Sequence, residues 1–96
     1  MNTYTDLSAS EKLSALKGWS FSNNQLEKKI TFGDFQQAMS AMVRISYICE
    51  KMNHHPDWTN VYNRLTIRLS THDAGGVTDK DFELAGKIDQ ALSTQA

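Results

Sequence analysis

The chain has 96 residues, and ten Lys plus Arg stand against eleven Asp plus Glu for a formal net charge of −1. That length suits one domain over residues 1–96, with a real core and a thin stability margin. Balanced charge leaves no basic stripe for a phosphate backbone, so direct nucleic-acid binding is not expected.

No apolar run approaches the roughly 20 residues that span a bilayer, so no membrane partner is expected. The opening MNTYTDLSASEK has neither the basic nor the apolar region of a signal peptide. A lone Cys49 has no internal disulfide partner. A cytoplasmic, reducing location is therefore expected.

In chain order, Ser8 is placed to cap a first helix with Glu11 completing a capping box. This helix carries Leu13 and Leu16 and stops at Gly18. Trp19–Ser22 and Leu26–Phe32 alternate apolar and polar residues around Asn23-Asn24, which reads as a β-hairpin. Thr31 or Asp34 starts a second helix that runs to about Met52. Its apolar residues cover roughly 220° of the circumference, about twice what one sheet face needs. The excess suits other helices of the same domain or a second subunit, and a subunit interface is favoured because so short a chain has few helices to cover both sides.

Asn53–Asp57 reads as a loop, since Pro56 cannot continue the helix and biases His55 toward an extended backbone. Thr59–Asn63 and Leu65–Thr71 read as two strands joined near Asn63-Arg64, with Leu65, Ile67 and Leu69 on one face. Asp73–Gly76 is a loop, Thr78 caps a last helix, and the tail Ser93–Ala96 is expected to fray. The expected class is α+β: a four-stranded antiparallel sheet with three helices on one face, in the order α-β-β-α-β-β-α.

All three histidines, His54, His55 and His72, fall in one quarter of the chain beside the only proline. Imidazole exchanges protons near neutral pH, so this stretch is a candidate proton-transfer site. Surface loop histidines are the plain alternative, because adjacent residues in an extended segment point to opposite sides. Three histidines are also a catalytic zinc set. An adjacent pair suits one metal less well than a helical i,i+4 pair, however, and Cys49 lies on an apolar helix face, so no metal is expected. Glu50 lies one helical turn before His54, either orienting it or standing as a solvated helix-end charge. Pro56 reads as a helix stop and Trp58 as a core aromatic rather than a ligand platform. Asp81 is three residues after Thr78, where a carboxylate complements the helix dipole.

The runs E-K-M-N-H-H-P-D-W, N-V-Y-N and L-S-T-H, together with L-x-x-L, G-W and F-x-D-F, resemble the pterin-4a-carbinolamine dehydratase family over nearly the whole chain. The resemblance implies a hydro-lyase that dehydrates 4a-hydroxytetrahydrobiopterin to quinonoid dihydropterin in the recycling used by aromatic amino acid hydroxylases, without cofactor. It implies His54 and His72 as the acid–base pair and His55 mainly as a substrate-binding group. Asn53, Ser70, Thr71, His72 and Asp73 fall where the family contacts the pterin. Asn53 and Asp73 depart from animal members, which carry Asp and Glu there. Homodimers or homotetramers through helix 34–52 and a sheet edge are also implied. A competing reading is a non-catalytic binding module, a dimerisation cofactor for a transcription factor or an assembly factor for another protein, with a hydroxylase as a further possible partner.

Overall fold

A computed structural model describes residues 2–93, and the expected element order is found. Helix α1 spans Asp6–Leu13, one turn earlier than the sequence suggests. Thr5, not Ser8, is its N-cap: the Thr5 hydroxyl accepts from the Ser8 backbone N–H, and the Ser8 hydroxyl accepts from the Thr5 N–H. Ser at the N3 position thus does what Glu11 was expected to do from a register three residues on. The helix ends at Leu13 rather than running to Gly18, and a turn segment follows. Gly18 closes that segment at φ +86°, a conformation disfavoured for residues with a Cβ.

Strands β1 (Ser20–Ser22) and β2 (Gln25–Thr31) form the first hairpin. Asn23 and Asn24 both take positive φ, as a two-residue primed turn requires. Asp34 caps α2 (Phe35–Met52), its carboxylate accepting from the Gln37 N–H at 2.8 Å. The second hairpin sits two residues earlier than expected at its first strand: β3 is Asp57–Val61 and β4 is Arg64–Leu69. Its turn is Tyr62-Asn63, with Tyr62 at φ +52°. Side-chain amides decide the register. Asn60 Nδ2 donates to the carbonyls of Tyr62 and Arg64, and Asn63 Nδ2 donates to that of Phe32. A short 3-10 turn, His72–Ala74, leads to α3 (Asp79–Ser93). Ser93 closes α3, and the remaining residues of the tail expected to fray, 94–96, lie outside those described.

The antiparallel sheet has the order β1-β2-β4-β3, so the two hairpins meet through β2 and β4. Register puts Leu26 opposite Leu69 and Ile30 opposite Leu65. The helices cover this apolar face. Leu26, Leu65, Ile67 and Leu69 from the sheet are fully buried with Ile45 of α2 and Leu84 and Ile88 of α3. Each such side chain contributes about 1.5–3 kcal/mol of transfer free energy. Lys28 breaks the apolar alternation of β2, and its ammonium is answered by Asp89 of α3 at 2.9 Å. Asp89 also accepts from the Trp19 indole N–H at 2.9 Å, so one carboxylate ties the first hairpin to α3. Trp58 is half-buried against the core rim. No helix among the described residues is long and apolar enough to cross a membrane.

Candidate active site

The local chemistry at the end of α2 aims the histidine pair. Asn53 sits at φ 51°, ψ 44°, the left-handed conformation that Asn tolerates better than most residues. The chain then turns back, and the His54 N–H reaches the Cys49 carbonyl at 3.0 Å in the 6→1 pattern of a Schellman turn. That reversal swings His54 inward and leaves His55 outside. On the other side, β4 ends at Leu69, and Thr71 pairs with Gly76 to close a small loop that carries His72 and Asp73. Gly75 at φ +75° makes the loop tight.

Asn53, His54 and His55 from the first turn face Ser70, Thr71, His72 and Asp73 from the second across a hollow of about 340 Å³. Lys80, on the first turn of α3, completes its lining. All seven residues singled out for chemistry or pterin contact therefore share one cleft. Pro56 and Trp58 do not line it; the first precedes β3 and the second packs on the core. A larger hollow of about 440 Å³ lies between α2 and α3, lined by Ile48, Lys51, Met52, Lys87, Gln90 and Ala91, with no histidine or carboxylate among them. The three histidines belong to the smaller one.

His54 is 9% exposed, and its Nε2 lies 2.6 Å from Asp81 Oδ1. Asp81 is wholly buried, so its carboxylate does more than complement the dipole of α3. Its Oδ2 accepts from the Thr78 N–H and from the Thr71 hydroxyl, both at 2.8 Å. Because the Thr71 proton is used on Asp81, the 2.6 Å Thr71–Thr78 contact runs with the Thr78 hydroxyl donating. Thr78 Oγ1 in turn accepts from the Lys80 N–H at 3.3 Å. A buried carboxylate with such partners is stabilised by charge-assisted hydrogen bonds.

Glu50 does not reach His54. Its carboxylate lies 2.6 Å from His55 Nε2, an exposed pair on the outer wall of the cleft. The turn at Asn53 explains the exchange: it takes His54 off the helical path that would have stacked it over Glu50. Thr78 and Lys80 are the residues that sequence reading underrated. The T-x-x-D spacing of Thr78 and Asp81 signals a helix start, but nothing local reveals that the same carboxylate receives His54 from 27 residues away. Among the described residues no group of three His, Cys, Asp or Glu side chains converges as a metal set.

Residues 2–91 match the family model described as pterin 4 alpha carbinolamine dehydratase. The chain belongs to this family. A protein of Opitutus terrae carrying the provisional name pterin-4-alpha-carbinolamine dehydratase is 51% identical over 87 residues, covering 90% of each chain. One from Sulfurisphaera tokodaii with the same provisional name is 44% identical over 93 residues, covering 97% of this chain and all of the other. Among solved structures, a transcriptional coactivator/pterin dehydratase from Brucella melitensis superposes with a TM-score of 0.88 at 35% identity, covering 93% of this chain and 97% of that one. A pterin dehydratase-like protein identified as a RuBisCO assembly factor in the alpha-carboxysome shares the fold, with a TM-score of 0.63 at 19% identity, covering 81% of this chain and 89% of that one.

Proposed function

We propose that the chain dehydrates a 4a-hydroxytetrahydropterin to quinonoid dihydropterin and water, with His54 and His72 as the acid–base pair and His55 holding substrate. The observation that carries this reading is the pairing, on one hollow, of a buried imidazole backed by a buried carboxylate with a second, exposed imidazole. An ionised carboxylate only accepts hydrogen bonds. The Asp81 contact therefore puts a proton on Nε2 of a neutral His54 and leaves Nδ1 as the acceptor. Dehydration needs such a base: the N5 proton leaves, its electron pair forms the C4a=N5 bond, and the C4a–O bond breaks. His72, at the open rim, supplies the proton with which the departing hydroxyl leaves as water. Each transfer contributes about 10²–10⁴-fold. No step is assigned to a metal or a cofactor. Asn53, Ser70, Thr71 and Asp73 offer the amide, hydroxyl and carboxylate groups that a pterin ring hydrogen-bonds. A place in cytoplasmic recycling of tetrahydrobiopterin for a hydroxylase agrees with family membership.

The test is a coupled assay in which a phenylalanine hydroxylase generates the 4a-hydroxy compound and its dehydration is followed in the ultraviolet. His54→Ala and His72→Ala are each expected to lower kcat about a hundredfold, and His55→Ala mainly to raise KM. Unchanged turnover in the His54→Ala/His72→Ala double variant would refute the assignment.

A second reading, association through α2, is favoured by a separate observation. Phe35, Met39, Val43 and Tyr47 recur every fourth residue and are 48%, 38%, 50% and 70% exposed. Such a stripe on one helix suits burial against another protein surface. A homodimer or homotetramer through this helix and a sheet edge is the form proposed. Val43→Glu should shift sedimentation to the monomer; a wild-type chain that is monomeric at all concentrations would defeat this reading. With a transcriptional coactivator/pterin dehydratase and a RuBisCO assembly factor among the structural neighbours, a heterologous partner is the rival occupant of the stripe.

A further inference from the structure

Thr71 lines the histidine cleft, yet it is only 5% exposed and its hydroxyl proton is spent inward, on Asp81 Oδ2 at 2.8 Å. A pterin in the cleft meets a lone pair of its Oγ1 at most. The backbone of Thr71 closes the loop that carries His72 without help from the side chain. Its N–H donates to the Gly76 carbonyl at 2.8 Å, and its carbonyl accepts from the Ala74 and Gly75 N–H groups at 3.0 Å. The hydroxyl has another task.

The start of α3 fixes where that proton points. The Lys80 N–H occupies a lone pair of Thr78 Oγ1 at 3.3 Å. Were Thr71 to donate to Thr78 across their 2.6 Å contact, its own lone pair would face the ionised Oδ2 of Asp81. Two acceptors so close repel, so the protons run from Thr78 to Thr71 to Asp81. Thr78 is 2% exposed and Asp81 wholly buried, so solvent does not compete for them. The Thr78 N–H is the second donor to Oδ2, at 2.8 Å. With both donors on one oxygen the carboxylate is held against rotation about Cβ–Cγ, and Oδ1 is left to His54 Nε2 at 2.6 Å.

We propose that Thr71 is a positioning residue for the base: its hydroxyl, aimed by Thr78, holds Asp81 in the rotation that keeps the His54 proton on Nε2 and Nδ1 toward the cleft. This role rests on the dehydratase reading and deepens it. Without the hydroxyl, Oδ2 keeps only the Thr78 N–H, the carboxylate gains freedom to turn, and His54 sits in a looser contact.

Thr71→Ser retains the hydroxyl and loses only a methyl, whereas Thr71→Ala loses both. In the coupled dehydration assay Thr71→Ala is expected to lower kcat about tenfold, or about 1.4 kcal/mol, just under the worth of a hydrogen bond to a charged group. Its KM should stay within about twofold of wild type, and Thr71→Ser should restore kcat. The His54 Nε2–H signal, read by ¹H–¹⁵N NMR without substrate, should exchange with water faster in Thr71→Ala than in wild type or Thr71→Ser. A merely structural role would lower the melting temperature and leave that signal alone. Thr78→Ala should cost less kcat than Thr71→Ala, because Thr71 still reaches Asp81; the reverse order overturns the direction of the chain. Circular dichroism checks folding, and should Thr71→Ala not fold, Thr71→Cys, a weaker donor, carries the same expectation. A raised KM with unchanged kcat would make the hydroxyl a pterin contact and overturn the proposal. Turnover lost in His54→Ala but kept in Thr71→Ala overturns the role of Thr71 alone. Turnover kept in both overturns the base assignment and this role with it.

Discussion

Replacing Asp81 by Asn tests the link between the buried carboxylate and the proposed base. The substitution keeps volume and nearly keeps shape, so packing is held constant. The Thr78 N–H and Thr71 hydroxyl both donate to Oδ2, which obliges the new amide to place its oxygen there. Its NH₂ then faces His54 Nε2 across the present 2.6 Å contact. Two donors cannot share that contact, so the His54 proton moves to Nδ1, the nitrogen proposed to accept from substrate. The expected loss is the whole general-base contribution, about 10²–10⁴-fold in kcat, with a smaller change in KM. Stability falls by much less. Three charge-assisted hydrogen bonds become neutral ones, about 1–1.5 kcal/mol each, and removal of a wholly buried charge offsets most of that. Asp81→Ala would be a poorer probe: it strands the three buried donors and is expected to cost about 3–5 kcal/mol, a large part of the 5–15 kcal/mol or so that holds a typical domain. Coupled dehydration kinetics give kcat, urea melts give stability, and ¹⁵N shifts of the His54 ring report the tautomer independently of activity. A folded Asp81→Asn variant with the proton shown on Nδ1 and kcat within about threefold of wild type, against the loss expected of a missing base, would refute the base assignment.

Three further outcomes are expected. Leu65→Ala opens a cavity beneath the fully buried centre of the sheet and should cost about 2–5 kcal/mol in a urea melt; a loss under 1 kcal/mol would mean that the core collapses around it. Glu50→Gln removes an exposed partner of His55, so stability should change by less than about 1 kcal/mol, with any kinetic effect confined to KM; a large fall in kcat would show that His55 has a chemical role. Burial pushes the Cys49 thiol above its ordinary range, so the folded chain keeps the neutral thiol where an unfolded chain begins to ionise. Its reaction with a disulfide reagent at pH 8 should be slow in the native state and fast in urea. The same shift makes stability decline as pH rises past the unfolded thiol's titration. Equal labelling rates in both states would contradict the burial argument.

What the sequence determined by itself was the set of elements and their faces. Alternation in Leu65–Leu69, the Asn-Asn turn and the Asp34 cap are local signals, each carried by a few adjacent residues, and each appears where its chemistry requires. The first cap was misplaced because Thr5 and Ser8 offer the same hydroxyl chemistry one turn apart, and the alternation ahead of Tyr62 was read two residues late. The histidine cluster was legible as composition, but its geometry was not. Sequence spacing set Glu50 either beside His54 or in solvent at the helix end, and made Asp81 a dipole partner. The left-handed residue at Asn53 gave Glu50 to His55, and the fold added His54 and Thr71 to the partners of Asp81, which keeps its place in the first turn of α3. Those pairings depend on where two separate chain segments come to rest. Side-chain type announces which groups are able to move protons, whereas the burial and hydrogen bonds that orient them belong to tertiary contacts and exist only in the folded chain.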